Sequence, residues 1–188
     1  MVRKVRTLSK KLDSRAIWTV GILLATLAAV LWVTSTYARD PQRSETVHPR
    51  LGEAAPAIEA VNTHGDKVTL ADYRGKVVLV HFWASWCGPC VKEMPLIDRL
   101  YRDSGSAAAV LFVNAGESKG TIQEFLDEQQ FDFPVLTDVT GKIAQAYAVT
   151  GLPATFVINP KGQMVEAILG EISSEQQLAG YMKEAQED

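Results

Sequence analysis

Hydrophobic and polar positions divide this chain into a long apolar run, a polar stretch, and then short apolar segments that alternate between strand-like and helix-like spacing. Residues 16–33, AIWTVGILLATLAAVLWV, carry no charge over 18 residues. As a helix such a run rises about 27 Å, close to the bilayer's hydrocarbon core of about 30 Å. Residues 34–50, TSTYARDPQRSETVHPR, are polar, lack periodicity and contain Pro41 and Pro49, which predicts a linker. After it, a hairpin is predicted from residues 57–61 and 67–70 around the turn NTHGD. The continuous runs KVVLVHFW (76–83) and AAVLFVNA (108–115) predict strands covered on both faces. Between them a helix is expected from Pro89 to Tyr101, with Met94, Ile97, Leu100 and Tyr101 on one face. Thr121 and Glu124 suggest a capping box for TIQEFLDEQ. FPVLTD (133–138) is a short strand, KIAQAYAV (142–149) a short helix, and residues 154–159 and 163–169 a second hairpin. Ser173 with Gln176 is expected to cap a last helix reaching about Ala185. Alternating strands and helices predict an α/β domain whose central mixed sheet is flanked by helices.

Charge sharpens the division. Residues 1–50 hold nine Lys/Arg against three Asp/Glu, whereas residues 51–188 hold ten against nineteen. Arg3, Lys4, Arg6, Lys10, Lys11 and Arg15 precede the apolar run, opposed only by Asp13, and Trp18 and Trp32 lie near its ends. A basic flank and interfacial tryptophans predict a single-pass anchor at the cell membrane, with its N-terminus cytoplasmic and the remainder exported. The competing reading is a cleaved signal peptide, whose apolar core is normally about 7 to 15 residues and ends in a small-x-small site. Its best candidate site here is the weak TYA at 36–38. The expected organisation is therefore a cytoplasmic basic segment (1–15), a transmembrane anchor (16–33), a linker (34–50) and a folded domain (51–188). The acidic balance of that domain argues against nucleic acid as a partner.

Both cysteines lie in FWASWCGPCVKEMP, residues 82–95, as Cys87 and Cys90. A crosslink spanning two residues restricts the unfolded chain very little, so as a structural staple it is poor. A redox couple is favoured, because a strand ends just before Cys87 and a helix starts there. Helix N-termini carry partial positive charge and unpaired N–H groups, which lower a thiol's pKa from about 8.5 towards roughly 3.5 to 7.5. Cys87, at an exposed cap, is the expected attacking thiolate, and Cys90 the resolving thiol. Gly88 lets another chain approach, and Pro89 is preset for the first helical turn. A closed zinc site requires four ligands. Only His48, His64 and His81 are available to join the cysteines, and neither a metal nor a cofactor is expected.

FWASWCGPC resembles the active-site segment of thioredoxin-fold proteins, and Gly88-Pro89 matches the dipeptide of thioredoxins themselves. Together, residues 52–95 and VTGLPATFVINPKG resemble the membrane-anchored thiol-disulfide oxidoreductases of the ResA/TlpA group, over about residues 51–188. The resemblance implies a thioredoxin-like fold with an N-terminal β-hairpin and a central insertion, a redox-active Cys87–Cys90 disulfide, and a cis-proline at Pro153. The Leu152-Pro153 loop would then lie beside the disulfide and offer backbone hydrogen bonds to substrate, while Trp83 and Trp86 would shape an apolar rim, although core packing alone also explains Trp83. Glu93 matches an acidic residue that the ResA-like branch places near the cysteines, for proton transfer to Cys90 or to raise thiol pKa values. Read from the residues alone, it is equally a first-turn glutamate favoured by the helix dipole. Pro95 would kink the helix or mark its bend. Two departures stand out: His81 replaces the buried aspartate usual in thioredoxins, and Gly88 is neutral where many ResA-like proteins are acidic.

The resemblance further implies an extracytoplasmic dithiol reductant acting on the C-x-x-C-H motif of apocytochrome c, fed with electrons by a CcdA/DsbD-like membrane protein. A general or sporulation-related disulfide reductase is the nearest alternative. A peroxiredoxin-like thiol peroxidase would need a Pro-x-x-x-Thr/Ser-x-x-Cys pattern, and Val80 and Ala84 occupy those positions. A non-enzymatic binding module is the remaining class.

Overall fold

The computed structural model describes residues 14–37 and 49–187, in two compact units. The first contains a single described helix, α1 (Ser14–Tyr37). Its side chains from Trp18 to Ser35 are exposed, and it is long and apolar enough to cross a membrane. Anchors and signal sequences share that property. The predicted basic segment before Ser14, residues 38–48 of the linker and His48 lie outside the described residues.

The second unit is built on a five-stranded sheet. Its elements are the hairpin strands β1 (Glu59–Val61) and β2 (Lys67–Thr69), then β3 (Val77–Trp83), α2 (Gly88–Asp103), β4 (Ala108–Ala115), α3 (Lys119–Gln129), β5 (Val135–Asp138), α4 (Lys142–Ala146), β6 (Ala154–Ile158), β7 (Met164–Leu169) and α5 (Glu175–Glu187). The large sheet has the order β5-β4-β3-β6-β7, with β1 and β2 as a separate antiparallel pair. β3 pairs parallel with β4 and antiparallel with β6, which makes the sheet mixed.

Central β3 is buried along its whole length, the reason its sequence is a continuous apolar run rather than an alternating one. Alternation survives in where the side chains go. Val77, Leu79 and Trp83 join the core that contains α2, α3 and α5 residues, whereas Val78, Val80 and Phe82 join Ile58, Tyr147 and Phe156 on the opposite face. The period of two places His81 on the α2 side, as the polar member of the first set. Truncating a fully buried β3 residue such as Leu79 to alanine would cost about 2–5 kcal/mol.

Most element ends differ from expectation by a residue or two, and three of the differences have a local cause. α3 starts at Lys119 with Ser118 as its cap, because the Ser118 hydroxyl accepts the Thr121 N–H at 3.2 Å. Thr121 is therefore inside the helix and does not begin it. In α5 the cap is Ser174, whose hydroxyl accepts from Gln177 N at 3.2 Å, while Gln177 Oε1 accepts from Ser173 N at 3.4 Å. The Ser-Ser and Gln-Gln pairs allow two equally spaced registers, and only packing selects one. α4 ends at Ala146, two residues before Ala148 takes a left-handed φ of 52°. Pro95 lies inside α2, where it leaves the carbonyl of Val91 without an N–H from the next turn.

Candidate active site

The end of β3 and the start of α2 are joined by a tight turn, in which Cys87 N–H donates to the Ala84 carbonyl at 3.1 Å. Cys87 caps α2 in extended conformation, and its Sγ accepts the Cys90 N–H at 3.3 Å. The two cysteines form a disulfide, with their Cα atoms 5.2 Å apart. Both sulfurs thus sit at the positive end of a 16-residue helix. Cys87 is less exposed than expected, at 5 % against 0 % for Cys90, and both belong to the core cluster on the α2 side of the sheet. Trp86, Gly88 and Pro89 are exposed around it, and a side chain at Gly88 would meet nothing within 4 Å. Trp83 is not part of that rim: it is fully buried, its ring 5.0 Å from that of Phe125.

The Leu152–Pro153 peptide is cis, and Pro153 is buried at the start of β6. β6 pairs with β3 through Ala154 opposite Phe82, so this proline lies at the same end of the sheet as the cysteines. The Pro153 carbonyl accepts from Gly170 N at 2.9 Å, and Leu152 packs against the core cluster that contains both cysteines.

Beneath the disulfide lies a pair of buried titratable groups. Glu93 follows Cys90 by three residues on the inner face of α2, and its carboxyl is fully buried, which removes the reading of it as a solvated first-turn glutamate. Oε2 accepts the Ile172 N–H at 2.5 Å, and Oε1 lies 3.7 Å from His81 Nδ1 without a hydrogen-bond partner. His81 Nδ1 is also 3.0 Å from Thr155 Oγ1, while its Nε2 is unpartnered. Burial pushes the Glu93 carboxyl up to about 7, against the opposing Ile172 hydrogen bond and with help from the charge of Glu171. Burial pushes His81 down to about 3. The imidazole is therefore neutral at pH 7, and the 3.7 Å approach is not an ion pair. A carboxyl poised near neutrality, one helical turn from Cys90, is suited to giving and taking protons.

An open cleft of about 420 Å³ reaches Glu93 from outside, between α2 and the segment joining β7 to α5. Two ion pairs span it, Lys92 to Glu171 at 2.6 Å and Arg99 to Glu175 at 2.8 Å.

On the other side of the cysteines is a polar cluster that the sequence did not reveal. Glu117 Oε2 accepts from Ser85 N at 2.8 Å and from Asn114 Nδ2 at 2.7 Å, and Glu117 Oε1 accepts from the Ser85 hydroxyl at 2.5 Å. Glu117 N donates to Asn114 Oδ1 at 3.2 Å. Burial alone would raise the Glu117 pKa, but the Asn114 and Ser85 hydrogen bonds outweigh it and hold the carboxyl below its ordinary value. The available sign was a fully buried Asn114 ending an otherwise apolar strand. Its partner, 32 residues from Ser85, has no sequence signature. Among the described residues, no group of three or more His, Cys, Asp or Glu side chains is placed to hold a metal ion.

Comparison with known proteins points in one direction. Residues 51–167 match the model of the AhpC/TSA family. The chain is 34% identical over 165 residues to the thiol-disulfide oxidoreductase ResA of Bacillus subtilis, covering 86% of this chain and 88% of that protein. With the ResA of Geobacillus kaustophilus it shares 32% identity over 166 residues, 88% of this chain and 93% of the other. A solved structure from Chlorobium tepidum, provisionally named thiol:disulfide interchange protein DsbE, matches with a TM-score of 0.64 at 29% identity, over 71% of this chain and 99% of that one.

Proposed function

The chain belongs to the AhpC/TSA family, as a thiol-disulfide oxidoreductase of the ResA type with a thioredoxin-like fold, and from that premise we propose that it is a membrane-tethered reductant of protein disulfides outside the cytoplasm. The observation that carries this reading is the Cys87–Cys90 disulfide at the cap of α2, above the buried carboxyl of Glu93. In the reduced protein the Cys87 thiolate attacks a substrate disulfide. One new S–S bond forms as the substrate bond breaks, and the departing substrate sulfur takes up a proton. Cys90, its proton accepted by Glu93, then attacks Cys87 Sγ. The second substrate thiol leaves, the Cys87–Cys90 bond closes, and two electrons have passed to the substrate.

Trp86, Gly88 and Pro89 form the exposed edge that a substrate chain meets, and the Leu152-Pro153 loop supplies backbone partners for it through Leu152, with Pro153 fixing the loop. The substrate proposed is the C-x-x-C-H motif of apocytochrome c, which must be a dithiol before haem is attached. Since each turnover oxidises the protein, a membrane donor of the CcdA/DsbD kind returns two electrons. The apolar helix α1 and the basic residues before it support an uncleaved anchor, with the catalytic domain exported.

Trapping tests the proposal. Cys90→Ala, expressed as the full chain, is expected to accumulate a mixed disulfide through Cys87 with an apocytochrome c. Another exported protein in its place would make this a general or sporulation-related reductase. Absence of any trapped protein, together with peroxide turnover as fast as dithiol exchange, would overturn the reading in favour of a peroxidase.

A further inference from the structure

The Ser85–Glu117–Asn114 cluster plays no part in the exchange steps above, yet it grips the residues immediately before Cys87. Ser85 and Trp86 are the two central residues of the turn that Cys87 N–H closes onto Ala84. In the oxidised protein this turn is secured from both sides, by the disulfide to Cys90 and by Glu117. Once the disulfide is reduced, the covalent tie is gone. On its helix side the Cys87 carbonyl still accepts the Val91 N–H at 3.0 Å, but the turn before it then depends on its own closing bond and on the three hydrogen bonds that Glu117 accepts from Ser85 and Asn114.

Those bonds have an anchored origin. Asn114 is fully buried at the end of β4, opposite Trp83 of β3, and Glu117 immediately precedes the Ser118 cap of α3. The carboxylate therefore ties the tip of β3 to the tip of β4 and the start of α3. Hydrogen bonds to an ionised carboxylate are shorter and roughly twice as strong as neutral ones.

We propose that Glu117 is a positioning residue of the redox site: with Ser85 and Asn114 it holds the turn bearing Trp86 and Cys87 in place while the Cys87–Cys90 bond is open. This rests on the exchange reaction proposed above, and it adds a requirement that the oxidised protein does not have. Because the cluster does its work mainly in the dithiol state, weakening it destabilises the reduced form more than the oxidised one. The equilibrium with glutathione then moves towards the disulfide.

The direct test uses the full chain in detergent, equilibrated with mixtures of reduced and oxidised glutathione. Ser85→Ala removes one bond and leaves the Glu117 charge in place, so its effect is read without a change of field around Cys87. It is expected to shift the equilibrium about threefold towards the disulfide, the size expected for one net hydrogen bond that acts mainly in one redox state. Glu117→Ala is expected to lower about tenfold the rate at which the reduced protein attacks the insulin disulfide, the size expected for losing hydrogen bonds to a charged group. Glu117→Gln, whose amide oxygen can accept from Ser85 N and Asn114 Nδ2 while its NH2 donates to the Ser85 hydroxyl, should restore most of that rate. An unchanged glutathione equilibrium in Ser85→Ala, or equal losses of stability in both redox forms, would overturn the proposal. The glutathione measurement needs no protein substrate. Failure of the unmodified protein to reduce insulin would therefore count against the proposed function and leave the positioning role to be judged separately.

Discussion

Two glutamates flank the cysteine pair, and they are held in opposite states. Glu93 is buried with one accepted hydrogen bond and one oxygen without a partner, so desolvation dominates and its pKa rises to about 7. Glu117 is less deeply placed and accepts three hydrogen bonds, so its charged form is favoured. The same side chain is thus held near neutrality at one position and biased towards its charged form at the other. What separates them is the number of donors within reach of the carboxylate.

The largest expected effect comes from making Glu93 unable to titrate. Glu93→Gln keeps an acceptor for Ile172 N and keeps the volume, so the fold should hold. Dithiol exchange should nonetheless fall about 100-fold, the lower range of what a positioned proton-transfer group contributes. A rate within twofold of the unmodified protein in stopped-flow fluorescence would mean that Glu93 is only a structural acceptor, and the contrast with Glu117 would collapse.

A smaller effect is expected in the pH dependence of stability. The ordinary values are 4.5 for the carboxyl and 6.5 for the imidazole, against about 7 for Glu93 and about 3 for His81 in the fold. Between about pH 4.5 and 7 the folded protein keeps a proton on Glu93 that the unfolded chain releases, so this contribution is lost as pH rises. Between about pH 3 and 6.5 the unfolded chain binds a proton on His81 that the folded protein refuses, so this contribution grows as pH rises. From 4.5 to 6.5 the two offset each other, and the unfolding free energy should be nearly flat. In Glu93→Gln only the histidine effect remains, and stability should climb through that window by up to about 1.4 kcal/mol per pH unit. Urea titrations at several pH values would decide it; parallel curves for the two proteins would show that the buried pair does not titrate as described.

The smallest effect belongs to the outer wall of the cleft. Lys92 is exposed and pairs with Glu171, whose charge helps to raise Glu93. Lys92→Ala should change stability by less than about 1 kcal/mol. It should move the Glu93 titration slightly upward, because Glu171 loses its neutralising partner. A downward shift, read by carboxyl-stretch infrared difference on reduction, would show that Lys92 acts on Glu93 by a route other than Glu171.

Most of the fold was legible in the residues, because it rests on local patterns. β4 was bounded at its observed residues, and the strands β3 and β6 and the helix α2 were found to within a residue or two, since burial on both faces leaves a continuous apolar run and a helical face recurs with its own period. The caps were less legible: Ser118 and Ser174 compete with Thr121 and Ser173, which have equivalent chemistry. The disulfide pair at the helix cap was legible for a related reason, since the cap and the C-x-x-C spacing both lie within four consecutive residues, 87–90.

The rest of the site was decided in three dimensions. Glu93 meets Ile172 across 79 residues, His81 meets Thr155 across 74, and Ser85 meets Glu117 across 32. Nothing in the neighbouring residues of Glu93 or Glu117 tells which carboxyl loses its water and which gains donors. By itself the sequence determined an α/β domain, an apolar N-terminal helix and a dithiol at a helix cap, because these follow from short-range periodicity and covalent spacing. Only the tertiary structure decided that Trp83 belongs to the core, that Cys87 is nearly covered, and that one carboxyl is raised to about 7 while the other is held below its ordinary value. Those outcomes depend on solvent exclusion and on hydrogen-bond donors brought from distant strands and loops, which no local stretch of chain specifies.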